Sequence, residues 1–294
     1  MKIAGVITPS VGTLVDQVAS VLADAGIASA NAEARDLVAA VAGEGRFWPR
    51  LNAGQAALPN VAERAHVAAA RRAMGMPFAY AVRRAAFRHL TLAIDERVLI
   101  PRQETEVLVD LVLRHRSGPG GVVADVGTGS GALALALADE GRFERVIGTD
   151  VDAGAIAVAR ENAAILPRRT DCEVEFRVGD LLSPVAGERL DVLVSNPPYI
   201  AYGEADELPA SVRDWEPSHA LFSHGEGLAV TRRIIAGAPA LLCIGGLIAL
   251  EVDSRRALQV AELVASNGAF SGIRLYQDLM GRDRFVLATR RAVS

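Results

Sequence analysis

The sequence predicts an α/β fold built around a mostly parallel sheet, and three observations carry that prediction. From residue 121 onward, short apolar runs alternate with helical patterns. The runs are continuous in Val, Ile and Leu, the composition expected of strands buried on both faces. A glycine-rich bend, Gly127-Thr128-Gly129-Ser130-Gly131, follows the first run and opens a helical stretch.

Taken in order, residues 11–25, 31–42 and 61–74 carry apolar side chains at three- and four-residue spacing, with Gly and Pro at the breaks. They predict a small helical domain over residues 1–76. Residues 77–100 alternate partially at 78–82 and 90–94, which predicts a β-hairpin linker. Pro101 stands where a helix can begin, followed by Glu104, Glu106 and the stripe Val107, Leu108, Leu111, Val112. In the third region, 101–294, strands are predicted at 122–126, 145–149, 173–178, 191–195 and 247–252. Helices fall at 131–139, 153–164 and 227–242. After a helix near 255–266, segments 272–276 and 284–289 can pair antiparallel through the turn at 278–283.

Composition narrows the function classes. Hydrophobic residues make up 51% of 294, which argues against extensive disorder. The longest apolar stretch, 234–250, is broken by Gly237, Pro239, Gly245 and Gly246, so it reads as helix, turn and strand, and no membrane association is expected. The N-terminus lacks the pattern of a secretory signal. Cys172 and Cys243 are far apart and outside any metal-ligand spacing, which predicts reduced thiols and a cytoplasmic location. The net charge of −4 gives no support to a nucleic-acid substrate. His219, His224 and Glu226 read as loop and cap residues, and no metal is expected.

The bend Gly127, Thr128, Gly129, Ser130, Gly131 suits an adenosyl ligand, because bare backbone and helix N–H groups can approach its carboxylate. Asp150 ends the next strand, 25 residues beyond Asp125, where a carboxylate can accept both ribose hydroxyls. Asp180 and Leu181 follow the third strand, an acid and an apolar residue suited to an adenine edge and face. Asp125 reads as a structural hydrogen bonder within the loop.

Asn196-Pro197-Pro198-Tyr199 ends the fourth parallel strand and is the more specific signal. A planar nitrogen whose lone pair is delocalised must have both N–H groups held by acceptors before it can attack. The Asn196 side-chain oxygen and the Pro197 carbonyl supply two, and Tyr199 offers a flat surface for the target plane. Together the motifs predict methyl transfer from a sulfonium donor to such a nitrogen, in a crevice beyond the strand ends.

At these motifs the chain resembles the release-factor glutamine N5-methyltransferases, the PrmC/HemK family. The similarity also runs through Met76-Pro77-Phe78-Ala79-Tyr80, Phe87, Val98-Leu99-Ile100-Pro101-Arg102-Gln103-Glu104-Thr105-Glu106, Trp215-Glu216-Pro217-Ser218-His219-Ala220-Leu221 and Asp278-Leu279-Met280-Gly281-Arg282-Asp283-Arg284. Gln103 stands where the family usually has Pro, and Val82-Arg83 lacks the usual Gly. The resemblance implies a seven-stranded Rossmann-like class I methyltransferase domain preceded by a helical substrate-recognition domain. It implies S-adenosylmethionine as donor, S-adenosylhomocysteine as product, and the Gly-Gly-Gln glutamine of class 1 peptide-chain release factors as substrate. It also implies that Asn196, Pro197, Pro198 and Tyr199 hold that glutamine, and that Asn196 contacts the donor as well. A ribosomal-protein glutamine would need the same chemistry. Adenine N6-methylation would need a basic DNA-binding region. A dehydrogenase reading leaves the acceptor motif without a purpose.

Overall fold

The computed structural model describes residues 8–116, 118–167 and 169–292. The chain forms two compact units, divided between Arg84 and Ala85.

The first unit is helical: α1 (Val11–Asp24), α2 (Ala30–Ala42), a short α3 (Trp48–Leu51), α4 (Pro59–Ala73) and α5 (Phe78–Val82). Ser10 caps α1, its hydroxyl accepting the Thr13 N–H at 3.1 Å. Leu14, Val18 and Leu22 of α1 are buried, as are Leu37 and Val38 of α2. Ala65, Ala68 and Ala69 give α4 a flat buried face that its neighbours can approach closely.

The predicted first hairpin strand, 78–82, is instead the helical turn α5. Arg83 ends it at φ +59°, a left-handed conformation that glycine adopts without steric penalty. The hairpin lies later, as β1 (Arg84–Phe87) and β2 (Leu90–Ala93). From Ala85 onward it is part of the second unit. Arg88 bonds Glu140 at 2.6 Å and Asp110 at 2.9 Å, and the Asn162 side chain accepts the Ala93 N–H at 2.7 Å while donating to its carbonyl at 3.0 Å.

The second unit continues with α6 (Gln103–His115), β3 (Val122–Val126), α7 (Ala132–Glu140), β4 (Arg145–Asp150), α8 (Ala153–Ile165), β5 (Glu173–Val178) and β6 (Leu190–Ser195). Then come β7 (Ile200–Ala201), α9 (Ala210–Arg213), α10 (Ser218–Leu221), β8 (Phe222–Ser223), α11 (Ala229–Leu241), β9 (Leu242–Glu251), α12 (Ala257–Ser266), β10 (Phe270–Gln277) and β11 (Asp283–Arg290). Seven strands form one sheet in the order β10-β11-β9-β6-β3-β4-β5. β11 runs antiparallel to both neighbours, and the remaining pairs are parallel. Ile147, Leu193, Ile248 and Val286 belong to the buried core that β4, β6, β9 and β11 build with α11 and α12.

The path from β3 to β5 moves one way across the sheet, and β6 then starts on the other side of β3. That reversal opens a crevice beyond the carboxyl ends of β3 and β6. At the margin, β5 carries Glu175 and Arg177, which join Arg145 and Glu188 in a four-member ion network at 2.5–3.0 Å. Among the described residues no helix is long and apolar enough to cross a membrane.

Candidate functional site

β3 delivers Asp125 and Val126 to the glycine bend. Gly127, Gly129 and Gly131 all have positive φ, at +76°, +53° and +82°. A Cβ on Gly127 or Gly129 would meet nothing within 4 Å, so bare backbone borders open space there. A Cβ on Gly131 would instead crowd Ala159, Leu135 and Phe176 at 3.2 Å each, so this glycine serves packing. Asp125 holds the bend from beneath: one carboxylate oxygen accepts from Thr128 Oγ1 at 2.7 Å and from the Ala134 N–H at 3.1 Å. The other oxygen is buried and has no hydrogen-bond partner among the described residues. Burial pushes the Asp125 carboxyl up to about 7.

Asp150, at the end of β4, accepts the Gly129 and Asp152 N–H groups, each at 3.0 Å. Asp180 follows β5 and is ion-paired with Arg233 of α11. Next to it Leu181 takes φ +48°, a conformation leucine rarely adopts, and its carbonyl accepts from Thr149 Oγ1 at 3.2 Å. Gly127, Gly129, Asp150, Asp180, Leu181 and Asn196 line one cavity of about 160 Å³. Thr128 and Ser130 line a smaller one of about 50 Å³ with Thr105 and Asn196, and Gly131 lines neither.

The acceptor motif reaches the same crevice. Ser195 Oγ donates to the Val126 carbonyl at 2.6 Å, tying the end of β6 to the end of β3. Beyond that tie, Asn196, Pro197 and Tyr199 line a third cavity of about 310 Å³. Pro198 borders the 160 Å³ cavity beside the glycine bend, not the one holding Pro197 and Tyr199. Asn196 borders all three cavities, as does Leu99. The Asn196 amide donates to Thr105 Oγ1 at 3.1 Å, and Thr105 donates to Glu251 Oε2 at 2.6 Å. The Arg284 guanidinium lies 5.5 Å from the centre of the Tyr199 ring, a cation–π contact. Burial first, and then the Glu251 charge, push the Tyr199 hydroxyl up to about 12, so it stays protonated.

Sequence reasoning missed several residues here. Arg97, Leu99, His219 and Arg233 border the 160 Å³ cavity, and no spacing in the sequence announces them. In the sequence Glu216 stands only within a segment that resembles the family, with no role assigned. Its buried carboxylate accepts from Arg102 at 2.7 Å and from the Ile100 N–H at 3.2 Å, anchoring the segment before α6. Gly227 read only as a helix start. Its φ is +83°, and a Cβ there would overlap the Tyr199 carbonyl. Gly227→Ala is therefore expected to destabilise the protein by about 2–4 kcal/mol, through strain and overpacking. Urea unfolding checks this, and an unchanged midpoint would show that the acceptor loop yields freely. Among the described residues, no group of three or more His, Cys, Asp and Glu side chains is placed to hold a metal ion.

Comparison with known proteins places this geometry in a family. The family model of the methyltransferase small domain matches residues 103–267, and that of the PrmC N-terminal domain matches residues 13–82. A release factor glutamine methyltransferase of Moorella thermoacetica is 40% identical over 254 residues, which cover 86% of this chain and 82% of that protein. One from Cereibacter sphaeroides is 38% identical over 267 residues, 91% of this chain and 94% of its own length. The crystal structure of a methyltransferase from Pyrococcus furiosus superposes with a TM-score of 0.52 at 19% identity, over 71% of this chain and 92% of that one, a likeness of fold. The chain belongs to the release factor glutamine methyltransferase family.

Proposed function

We propose that this protein methylates the side-chain amide nitrogen N5 of the glutamine in the Gly-Gly-Gln motif of class 1 peptide-chain release factors. The observation that carries the reading is the position of Asn196, which borders both the cavity of the glycine bend and the cavity of the acceptor motif. An amide held by Asn196 is thereby brought next to a donor lying along Gly127 and Gly129.

S-adenosylmethionine, when bound, supplies an electrophilic methyl group on a sulfonium and leaves as S-adenosylhomocysteine. The open space above the Gly127 and Gly129 backbone fits such a ligand. Asp150 would accept the ribose hydroxyls, and Asp180 with Leu181 would meet the adenine edge and face. Asn196 Oδ1 and the Pro197 carbonyl each accept one N–H of the substrate amide, while Tyr199 packs on its plane. Both hydrogens are then engaged, and the lone pair has one direction left to point. Orientation of this kind is worth roughly 7–11 kcal/mol of barrier. The nitrogen sheds its proton only after transfer, so a strong base is unnecessary, and Tyr199 is held in its neutral form.

The direct test incubates the protein with S-adenosylmethionine and a release factor, followed by peptide mass mapping. A methyl-mass increment on the Gly-Gly-Gln peptide is expected, absent when that glutamine is replaced. An unmodified peptide, alongside methylation of a ribosomal-protein glutamine, would move the substrate assignment. The donor site is tested separately by Asp150→Ala. Losing a charged acceptor for the ribose hydroxyls should weaken S-adenosylhomocysteine binding about 10- to 100-fold by calorimetry. Unaltered affinity would remove Asp150 from the site.

A further inference from the structure

We infer that Thr105 and Glu251 are positioning residues for methyl transfer: the chain Asn196 Nδ2–H to Thr105 Oγ1–H to Glu251 Oε2 sets which end of the Asn196 amide meets the substrate. The inference rests on the acceptor role proposed above for Asn196.

The argument is one of proton counting. A threonine hydroxyl donates one hydrogen bond and accepts others. Thr105 gives its proton to Glu251 Oε2 at 2.6 Å, so toward Asn196 it offers only lone pairs. It therefore accepts from Asn196 Nδ2 at 3.1 Å. With its NH₂ end engaged in this way, the amide keeps Oδ1 as the acceptor for the substrate N–H. A reversed amide would present hydrogens to hydrogens and could not hold the glutamine. Thr105 and Glu251 are 146 residues apart, on α6 and at the end of β9, and both are buried. Glu251 borders none of the three cavities, so its influence runs through Thr105.

The remaining Glu251 oxygen, Oε1, is buried and has no hydrogen-bond partner among the described residues. The hydrogen bond donated by Thr105 to the other oxygen, Oε2, favours the carboxylate. The charged groups around it oppose one another: Arg284 on β11 and Arg102 before α6 favour the carboxylate, and Glu104 on α6 disfavours it. Tyr199, also nearby, is held neutral. Burial dominates and raises the Glu251 carboxyl to about 7. As a carboxylate, Glu251 must accept from Thr105, and the chain runs in the productive direction. As a carboxylic acid it can donate to Thr105, which then donates to Oδ1 of a turned Asn196 amide. Turnover should therefore rise with pH through about 7.

The test measures kcat for release-factor methylation across about pH 6 to 8.5, with S-adenosylhomocysteine affinity in parallel. Thr105→Val should lower kcat about 10- to 100-fold without altering donor affinity, and Thr105→Ser should restore most of it. Glu251→Gln keeps the shape and a carbonyl that can accept from Thr105 but cannot ionise, so it should abolish the rise of kcat with pH. Wild-type kcat in Thr105→Val, or a wild-type pH profile in Glu251→Gln, would overturn the inference. Should Thr105→Val fail to bind S-adenosylhomocysteine, the Glu251→Gln profile decides alone. Asn196→Ala separates the two levels. If it too keeps full turnover, the acceptor reading itself is wrong. If only Asn196→Ala is impaired, the Thr105–Glu251 chain is wrong and the acceptor reading stands.

Discussion

Asn196→Ala is expected to lower methyl-transfer turnover about 10²- to 10³-fold, in the range seen when one preorganised polar contact is deleted from an active site. Two losses combine. One substrate N–H is left buried without an acceptor, at about 1–3 kcal/mol. The amide is also freed to rotate about its remaining contact with Pro197, and part of the orientation advantage goes with it. Donor binding should weaken far less than turnover, because the bend at Gly127 and Gly129 and the acids Asp150 and Asp180 are untouched. Single-turnover kinetics with calorimetry on S-adenosylhomocysteine separate the two effects. Wild-type turnover, or a loss of donor affinity equal to the loss of rate, would refute the assigned role.

The second large effect concerns stability against pH. Burial raises the carboxyls of Asp125 and Glu251 to about 7, from ordinary values of 3.8 and 4.5. A folded-state pKa above the unfolded one means that the folded state holds its proton longer. The stabilisation is then complete below about pH 4 and is lost as pH rises through about 7. At 1.36 kcal/mol per unit, each group weakens the fold by at most about 3–4 kcal/mol at alkaline pH. Opposing them, Asp253 and Asp278 are held below the usual carboxylate range. Burial works against this in both, and hydrogen bonds prevail, from Arg255 to Asp253 and from the Arg282 and Met280 N–H groups to Asp278. Their contribution is present above about pH 4 and lost on acidification. Stability should therefore peak at about pH 4 and fall toward about pH 7, in urea titrations made at each pH. Asp125→Asn and Glu251→Gln should each flatten the alkaline side. A wild-type midpoint that is level or rising between about pH 5 and 7 would contradict the burial argument.

Much of this architecture was legible because it rests on local chemistry. The Val-, Ile- and Leu-rich runs of β3, β4, β6 and β9 are buried on both faces and therefore read as continuous apolar segments. The Gly127 bend and the Asn196 motif announce themselves because each function requires particular residue types in consecutive positions. Residues 78–82 failed for a definable reason: five mostly apolar residues fit either period, and the decision is made by Pro77 at one end and left-handed Arg83 at the other. Arg97, His219 and Arg233 come from separate loops and helices, so only the folded chain gathers them around one cavity. The same holds for Thr105 and Glu251. Neither is unusual in its own segment, and their joint meaning arises only where α6 meets the end of β9.

The four-member ion network on β5 has a consequence for colonies of this molecule as much as for one copy. β5 is an outer strand, and an outer strand offers unpaired backbone groups as a template for foreign chains. An incoming strand would have to dehydrate Glu175 and Arg177 and displace Arg145 and Glu188 to lie flush against them. That makes the flank a poor seed for fibrils, even in a chain whose interior strands are as oily as these.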